Sequence, residues 1–244
     1  MRNIALIISY DGAGYFGYQT QNGFITIQQV MEETISKMTK EEITVFGCGR
    51  TDTGVHALNY LLTFKTKSTV PIDRIPYALN ALLPDDIRVK SAFEADENFH
   101  GRFSVKRKTY VYRILNTEIS DPFKAKYTWH YKYPLDIEKM KEAATYIVGE
   151  KDFVCFMASG GQVKTTIRNV DELKVEREGE EIVITISSNG FLYNMVRIIT
   201  GTLVYAGCGK IEPAYIKEII ESKDRRKAGI TAPPNGLYLK SVEY

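Results

Sequence analysis

The chain has 244 residues, enough for one large domain or two small ones and for a core of useful size. Its 44% hydrophobic and 25% charged residues are ordinary for a soluble globular protein, and no apolar run approaches membrane-spanning length. A net charge of only +2 does not announce a nucleic-acid binder, and three scattered cysteines, Cys48, Cys155 and Cys208, with no Cys-x-x-Cys and no histidine at zinc spacing, argue against a disulfide framework or a structural metal.

Residues 1–9 carry one Arg and six apolar residues with no cleavable signal pattern after them, so a cytoplasmic protein is expected. Residues 3–9 read as a buried strand, closed by Asp11-Gly12-Ala13-Gly14. A glycine and aromatic loop follows, through Tyr15-Phe16-Gly17-Tyr18-Gln19. Thr26 and Gln29 fit a capping box, and Ile27, Val30, Met31, Ile35 and Met38 then share the core face of a helix. Strands are expected at residues 43–46 and 58–66. Pro71 leads into a second helix with Ile72, Ile75, Leu79 and Leu82 on its buried side, and Pro76 limits how early it begins. Pro84-Asp85-Asp86 stops it, and residues 87–93 read as a strand.

The second half repeats this grammar. Residues 109–115 read as a strand. Asp136 can cap a helix with Ile137, Met140, Ala143, Ala144 and Ile147 on its apolar side, and Gly149 can end it. Residues 173–175 and 182–187 read as a hairpin around Glu178-Gly179-Glu180. Residues 191–205 read as a long apolar helix, Pro213 opens another with Ile216, Ile219 and Ile220, and 237–242 closes the chain as a strand. Pro84-Asp85-Asp86-Ile87-Arg88-Val89-Lys90-Ser91 lines up with Pro234-Asn235-Gly236-Leu237-Tyr238-Leu239-Lys240-Ser241. Each copy closes a series running strand, helix, two strands, helix, strand. The expected fold is therefore α+β, with two related split-βαβ (ferredoxin-like) halves at residues 1–104 and 105–244.

Between two apolar runs lies Gly47-Cys48-Gly49-Arg50-Thr51-Asp52-Thr53-Gly54-Val55-His56-Ala57. Three glycines in eight residues would weaken a strand or helix, so this is a loop of specified shape. Its one carboxylate, Asp52, has Arg50 two residues before it and suits a nucleophile or a base. The same residues also suit an ordinary Asx-turn loop. No third glycine completes a dinucleotide fingerprint. Cys48 reads as small buried filler and His56 as a packed loop histidine.

Charge is distributed unevenly. Between Gly101 and Arg113 stand Arg102, Lys106, Arg107, Lys108 and Arg113, no acidic residue, and Phe103, Tyr110 and Tyr112. That mixture suits a phosphate backbone and an unstacked base, or equally a solvated strand face. A second cluster, residues 223–227, has four basic residues around Asp224. Arg197 interrupts the apolar helix, where it needs an opposite partner if buried, or snorkels to the surface.

Gly49-Arg50-Thr51-Asp52-Thr53-Gly54-Val55-His56-Ala57 closely resembles the signature of the TruA-type tRNA pseudouridine synthases, whose usual form has Ala where this chain has Thr53. Three further segments match. Lys108-Thr109-Tyr110-Val111-Tyr112 resembles the family's basic-x-Tyr-x-Tyr segment, and Phe191-Leu192-Tyr193-Asn194-Met195-Val196-Arg197 its Phe-Leu-x-x-Met-Val-Arg motif. Gly236-Leu237-Tyr238-Leu239 resembles its closing strand. Residues 98–104 also resemble a family segment, usually with Ala in place of Gly101, and their expected role is structural.

The resemblance implies that Asp52 is the catalytic aspartate, that Tyr110 stacks on the target uracil, and that Arg197 pairs with Asp52. It assigns Arg50 to RNA backbone contact and displacement of the base, and Leu237 to the pocket lining. From the residues alone, Tyr110 equally reads as a packed strand tyrosine and Arg50 as part of a structural ion pair. The family's two halves are joined through a continuous antiparallel central sheet with the active cleft between them. The implied reaction isomerises uridine to pseudouridine at positions thirty-eight to forty of the tRNA anticodon stem-loop. Uracil is detached, turned and rejoined through carbon, so no redox change, group donor, cofactor or metal is expected. The base must leave its stack to be reached. The implied partners are tRNA and a second copy of the chain, and no membrane. Two alternatives are a catalytically silent RNA-binding α+β protein and a hydrolase using Asp52 as nucleophile. The hydrolase would need a second acid/base group, and no paired carboxylate stands near the motif.

Overall fold

The computed structural model describes residues 1–161 and 163–244. The chain forms two compact units, Met1–Lys106 with Tyr238–Tyr244, and Arg107–Leu237. Each is an assembly of helices with a sheet, so the α+β class holds.

In the first unit, β1 (Arg2–Tyr10) lies between β3 (His56–Thr66) and β4 (Ile87–Glu94), antiparallel to both. Ile4, Leu6 and Ile8 of β1 are fully buried, as expected for a near-continuous apolar run. Each such side chain contributes about 1.5–3 kcal/mol. Helix α1 (Ile27–Thr39) starts at Thr26, whose hydroxyl accepts from the Gln29 N–H. The Gln29 side chain instead donates to Glu33, so only half of the expected capping box forms.

Two local expectations for this unit are corrected. Residues 43–45 are not a strand; β2 is only Phe46–Gly47, paired with β3. Ile43 and Val45 are buried, but their N–H groups donate to Ser36 Oγ and Glu32 Oε1 of α1 (3.2 and 3.1 Å), so side chains take the place of a ladder. Leu82 is exposed and Leu83 buried in its stead. Helix α2 (Ile75–Asn80) stops before the next turn, which breaks the helical phase that the sequence pattern assumes.

In the second unit, β5 (Arg107–Leu115) pairs with β9 (Glu181–Ser188), β9 with β8 (Ile167–Glu178), and β8 with β7 (Gly149–Asp152), all antiparallel. The hairpin of β8 and β9 turns at Gly179-Glu180, with Gly179 at φ +61. The short strand β6 (Trp129–His130) lies parallel to β5. Helix α3 (Ile137–Thr145) is capped by Asp136, which accepts from the N–H groups of Glu138 and Lys139. Helix α4 (Met195–Gly207) is buried almost all round, as its composition demands. It begins four residues later than the apolar run, because Asn194 takes a left-handed conformation, φ 58. Helix α5 (Tyr215–Ser222) buries Ile216 and Ile219.

The closing strand β10 (Leu237–Glu243) was expected with the second half, but from Tyr238 onward it belongs to the first unit. Tyr238 and Leu239 pair with His56 and Ala57 of β3, the Asn59 amide donates to the Lys240 carbonyl, and the Tyr244 ring packs on Phe93 and Phe99. This pairing is parallel, so the sheet is mixed rather than antiparallel throughout. Among the described residues, no helix is long and apolar enough to cross a membrane.

Candidate active site

The loop between β2 and β3 carries Arg50 and Asp52. Arg50 is exposed, Thr51 buried and Asp52 half-buried. The loop is braced along its length. Tyr60, fully buried on β3, donates to the Gly49 carbonyl and accepts from the Gly49 N–H at 3.4 Å. Tyr10 of β1 bonds Thr51 Oγ1 at 2.9 Å, with its hydroxyl as one partner. The Tyr18 N–H donates to the Thr51 carbonyl (3.1 Å), and the Val55 N–H closes a turn onto the Asp52 carbonyl (3.1 Å). Gly17 reaches this position at φ +82, and a Cβ there would lie 2.6 Å from the Thr51 carbonyl oxygen. A side chain at residue 17 would therefore push the carboxylate loop outward.

Tyr18 stacks on Tyr60 with ring centroids 4.5 Å apart. Burial pushes both phenols well above their ordinary range, so both stay protonated. His56 is buried, stacks on Tyr238 at 4.7 Å, and presents Nδ1 to Asp11 Oδ1 (2.9 Å) and to the Gly12 N–H (3.1 Å). One ring nitrogen serves only one of these at a time. Cys48 is buried at the start of the loop. Among the described residues, no group of three or more His, Cys, Asp or Glu could hold a metal ion.

Tyr60→Phe tests this bracing. It keeps the ring and removes the two bonds to Gly49, at an expected cost of about 1–2 kcal/mol. Turnover is expected to fall with tRNA affinity retained, because the loop loosens while its exposed face is unchanged. Turnover equal to wild type would show that the Gly49 bonds do not position the carboxylate.

The remaining predicted residues lie in the second unit. Tyr110 of β5 is buried, with its ring edge-to-face on Phe191 at 5.1 Å. Arg197 is in the first turn of α4, where the helix dipole disfavours a cation. Its guanidinium is held by the Asn194 side-chain oxygen and the Ala232 carbonyl, both at 2.7 Å, and its own carbonyl accepts from the Ala232 N–H. Tyr112 donates to the Pro233 carbonyl at 2.7 Å. Burial raises the Tyr112 phenol and the nearby Arg197 charge opposes that rise. Leu237 is buried, one residue beyond the Pro234–Gly236 turn that packs on Tyr112. The structure thus gathers Arg197, Tyr112 and the 232–237 segment.

Sequence reasoning missed Tyr10, Tyr18 and Tyr60 as supports of the Asp52 loop, and Asn194 and Ala232 as anchors of Arg197. Tyr18 and Tyr60 are seen only in three dimensions. Asn194 had a local signal: an amide three residues before an arginine at the mouth of an apolar helix.

Fold and loops define an α+β protein that presents one carboxylate on a braced turn in one unit, and an anchored arginine behind an aromatic strand in the other. The sequence model of the family described as tRNA pseudouridine synthase matches residues 6–104 and 143–244. The chain is 50% identical to tRNA pseudouridine synthase A of Thermoanaerobacter sp. (strain X514), over 100% of both chains. It is also 50% identical to tRNA pseudouridine synthase A 2 of Clostridium perfringens (strain 13 / Type A), again over 100% of both. Among solved structures, a chain of a Cbf5-Nop10-Gar1 complex is 15% identical with a TM-score of 0.38, over 97% of this chain and 48% of that one, a likeness too slight to carry weight. The chain belongs to the tRNA pseudouridine synthase family. It is an isomerase of uridine in tRNA.

Proposed function

We propose that the reaction takes place at positions thirty-eight to forty of the tRNA anticodon stem-loop, with Asp52 as the reacting carboxylate. The observation that carries this reading is the braced loop, which holds a half-buried Asp52 while leaving Arg50 exposed. Isomerisation conserves atoms and oxidation state, so one carboxylate, a pocket and charge compensation are enough. Arg50 meets the RNA backbone and takes the space of the displaced base. Tyr110 stacks on the flipped uracil, and Leu237 lines its pocket. Arg197 compensates the Asp52 charge, and its fixed guanidinium supports that role.

The finer fold reading belongs here too. The first unit's order of strand, helix, two strands, helix and strand, with β1 between β4 and β3, supports split ferredoxin-like halves. The chain acts in the cytoplasm as a homodimer, which spreads a modest basic surface over two copies.

The test is pseudouridine mapping on unmodified tRNA transcripts with wild-type protein and no added cofactor. Pseudouridine in the anticodon stem-loop is expected. Modification elsewhere would overturn the position, and release of free uracil would replace isomerisation with hydrolysis. The Asp52–Arg197 pair is tested by a cycle of Asp52→Asn, Arg197→Met and the double variant. Groups acting as a unit give a double variant no slower than the worse single, whereas independent losses would multiply.

A further inference from the structure

The first unit carries an aromatic array that the Asp52 loop does not use. Phe46, on the short strand β2, is 45% exposed. Its ring centroid lies 4.7 Å from that of His100, and His100 lies 4.6 Å from Phe103, each pair tilted. Phe103 is 76% exposed, with the Arg102 guanidinium carbon 5.7 Å from its ring centroid. The array is seated by backbone bonds. The Gly101 N–H donates to Thr63 Oγ1 of β3, the His100 N–H to Ser104 Oγ, and the Arg102 N–H to His100 Nδ1, all at 3.0 Å. The last bond makes Nδ1 an acceptor, so the neutral ring carries its proton on Nε2. Two exposed phenylalanine rings flank the half-buried His100 ring, which leaves an open aromatic face suited to a planar ligand.

Its position and charge indicate the occupant. Phe46 is four residues before Arg50 and six before Asp52. Arg102 and Lys106 are exposed, and residues 101–106 contain no acid. Base stacking on an aromatic face beside an arginine tolerates any sequence, and nearby cations meet the phosphates. A twofold self-contact on this face would instead bring Arg102 and Lys106 against their own copies.

We propose that Phe46, His100 and Phe103 form a stacking platform for an unpaired nucleobase of the tRNA other than the reacting uridine, with Arg102 and Lys106 on its phosphates. The proposal rests on the reading of this chain as a tRNA-modifying enzyme.

The experiment compares wild type, Phe103→Ala and Phe103→Trp for affinity to an unmodified tRNA transcript at fixed salt, and for pseudouridine formation at saturating tRNA. Phe103 is exposed, so both variants should fold. Phe103→Ala is expected to weaken binding by about ten- to a hundredfold, with turnover at saturation near wild type. Phe103→Trp is expected to keep affinity, and its fluorescence above the Trp129 background is quenched by RNA. Unchanged affinity in Phe103→Ala with no quenching in Phe103→Trp overturns the platform. So does a Phe103→Ala variant that dissociates in sedimentation while each subunit binds RNA as before, which would assign the face to a second copy. Wild type that binds tRNA without modifying it would sink the catalytic reading alone, and the platform would still stand or fall on the Phe103 affinities. Wild type that does not bind tRNA overturns both.

Discussion

Asp52→Asn is expected to slow pseudouridine formation by at least about a thousandfold, while tRNA affinity stays within about threefold. The substitution is nearly isosteric. It leaves in place the bracing bonds made through Thr51, Gly49 and the backbone of Asp52. What it removes is a charge and a nucleophilic oxygen pair at one point. A loss confined to the chemical step should therefore appear in single-turnover assays with saturating enzyme, with the melting temperature near wild type. Retention of more than about a tenth of the wild-type rate would remove Asp52 from the reaction, since even a general acid or base contributes about a hundredfold or more.

Gly201→Ala is expected to destabilise the protein by about 2–4 kcal/mol and to impair turnover as well. Gly201 lies in α4, and a Cβ there would sit 1.9 Å from the Ile230 carbonyl oxygen. Gly229 packs against the same helix backbone from the other side of the contact. The Gly229 N–H donates to Thr202 Oγ1 at 2.8 Å, and that hydroxyl donates to the Ile198 carbonyl. Gly229 and Ile230 are thus laid on helix backbone, and the atoms nearest the contact are backbone atoms that cannot swing aside. Two residues beyond Ile230, Ala232 holds the Arg197 guanidinium. Pushing the segment outward therefore disturbs the core and the arginine together. Thermal unfolding should show a fall of about 5–15 °C for a chain of this size. Gly14→Ala is the control, because a Cβ at Gly14 meets nothing within 4 Å. A Gly201→Ala protein as stable and active as that control would refute the account.

Much of the fold was legible because local signals and tertiary demands agree. β1, β3, β4, β5, α1 and α3 stand where apolar period, caps and glycines place them, to within a few residues at their ends. Each departure has a partner or a backbone conformation that the apolar pattern does not encode. The 43–45 segment has the composition of a strand, yet its N–H groups are taken by Glu32 and Ser36. Helix α4 starts late because Asn194 bends left-handed, with its side-chain oxygen on Arg197. The last strand joins the first unit because Tyr238 and Leu239 find His56 and Ala57, some 180 residues earlier in the chain.

By itself the sequence determined the α+β class, the glycine-shaped loop around Asp52 and the chain's membership of a tRNA-modifying family. Those rest on hydrophobic period, turn chemistry and contiguous motifs, all of which are local. Tertiary structure alone decided how each functional group is held. Three buried tyrosines from β1, β3 and the intervening loop converge on the Asp52 turn, and a carbonyl thirty-five residues away fixes Arg197. Hydrogen bonds of this kind carry no signature in the chain, because any tyrosine or backbone carbonyl can make them. Only the packing that brings them within three ångströms of the loop and the arginine selects these.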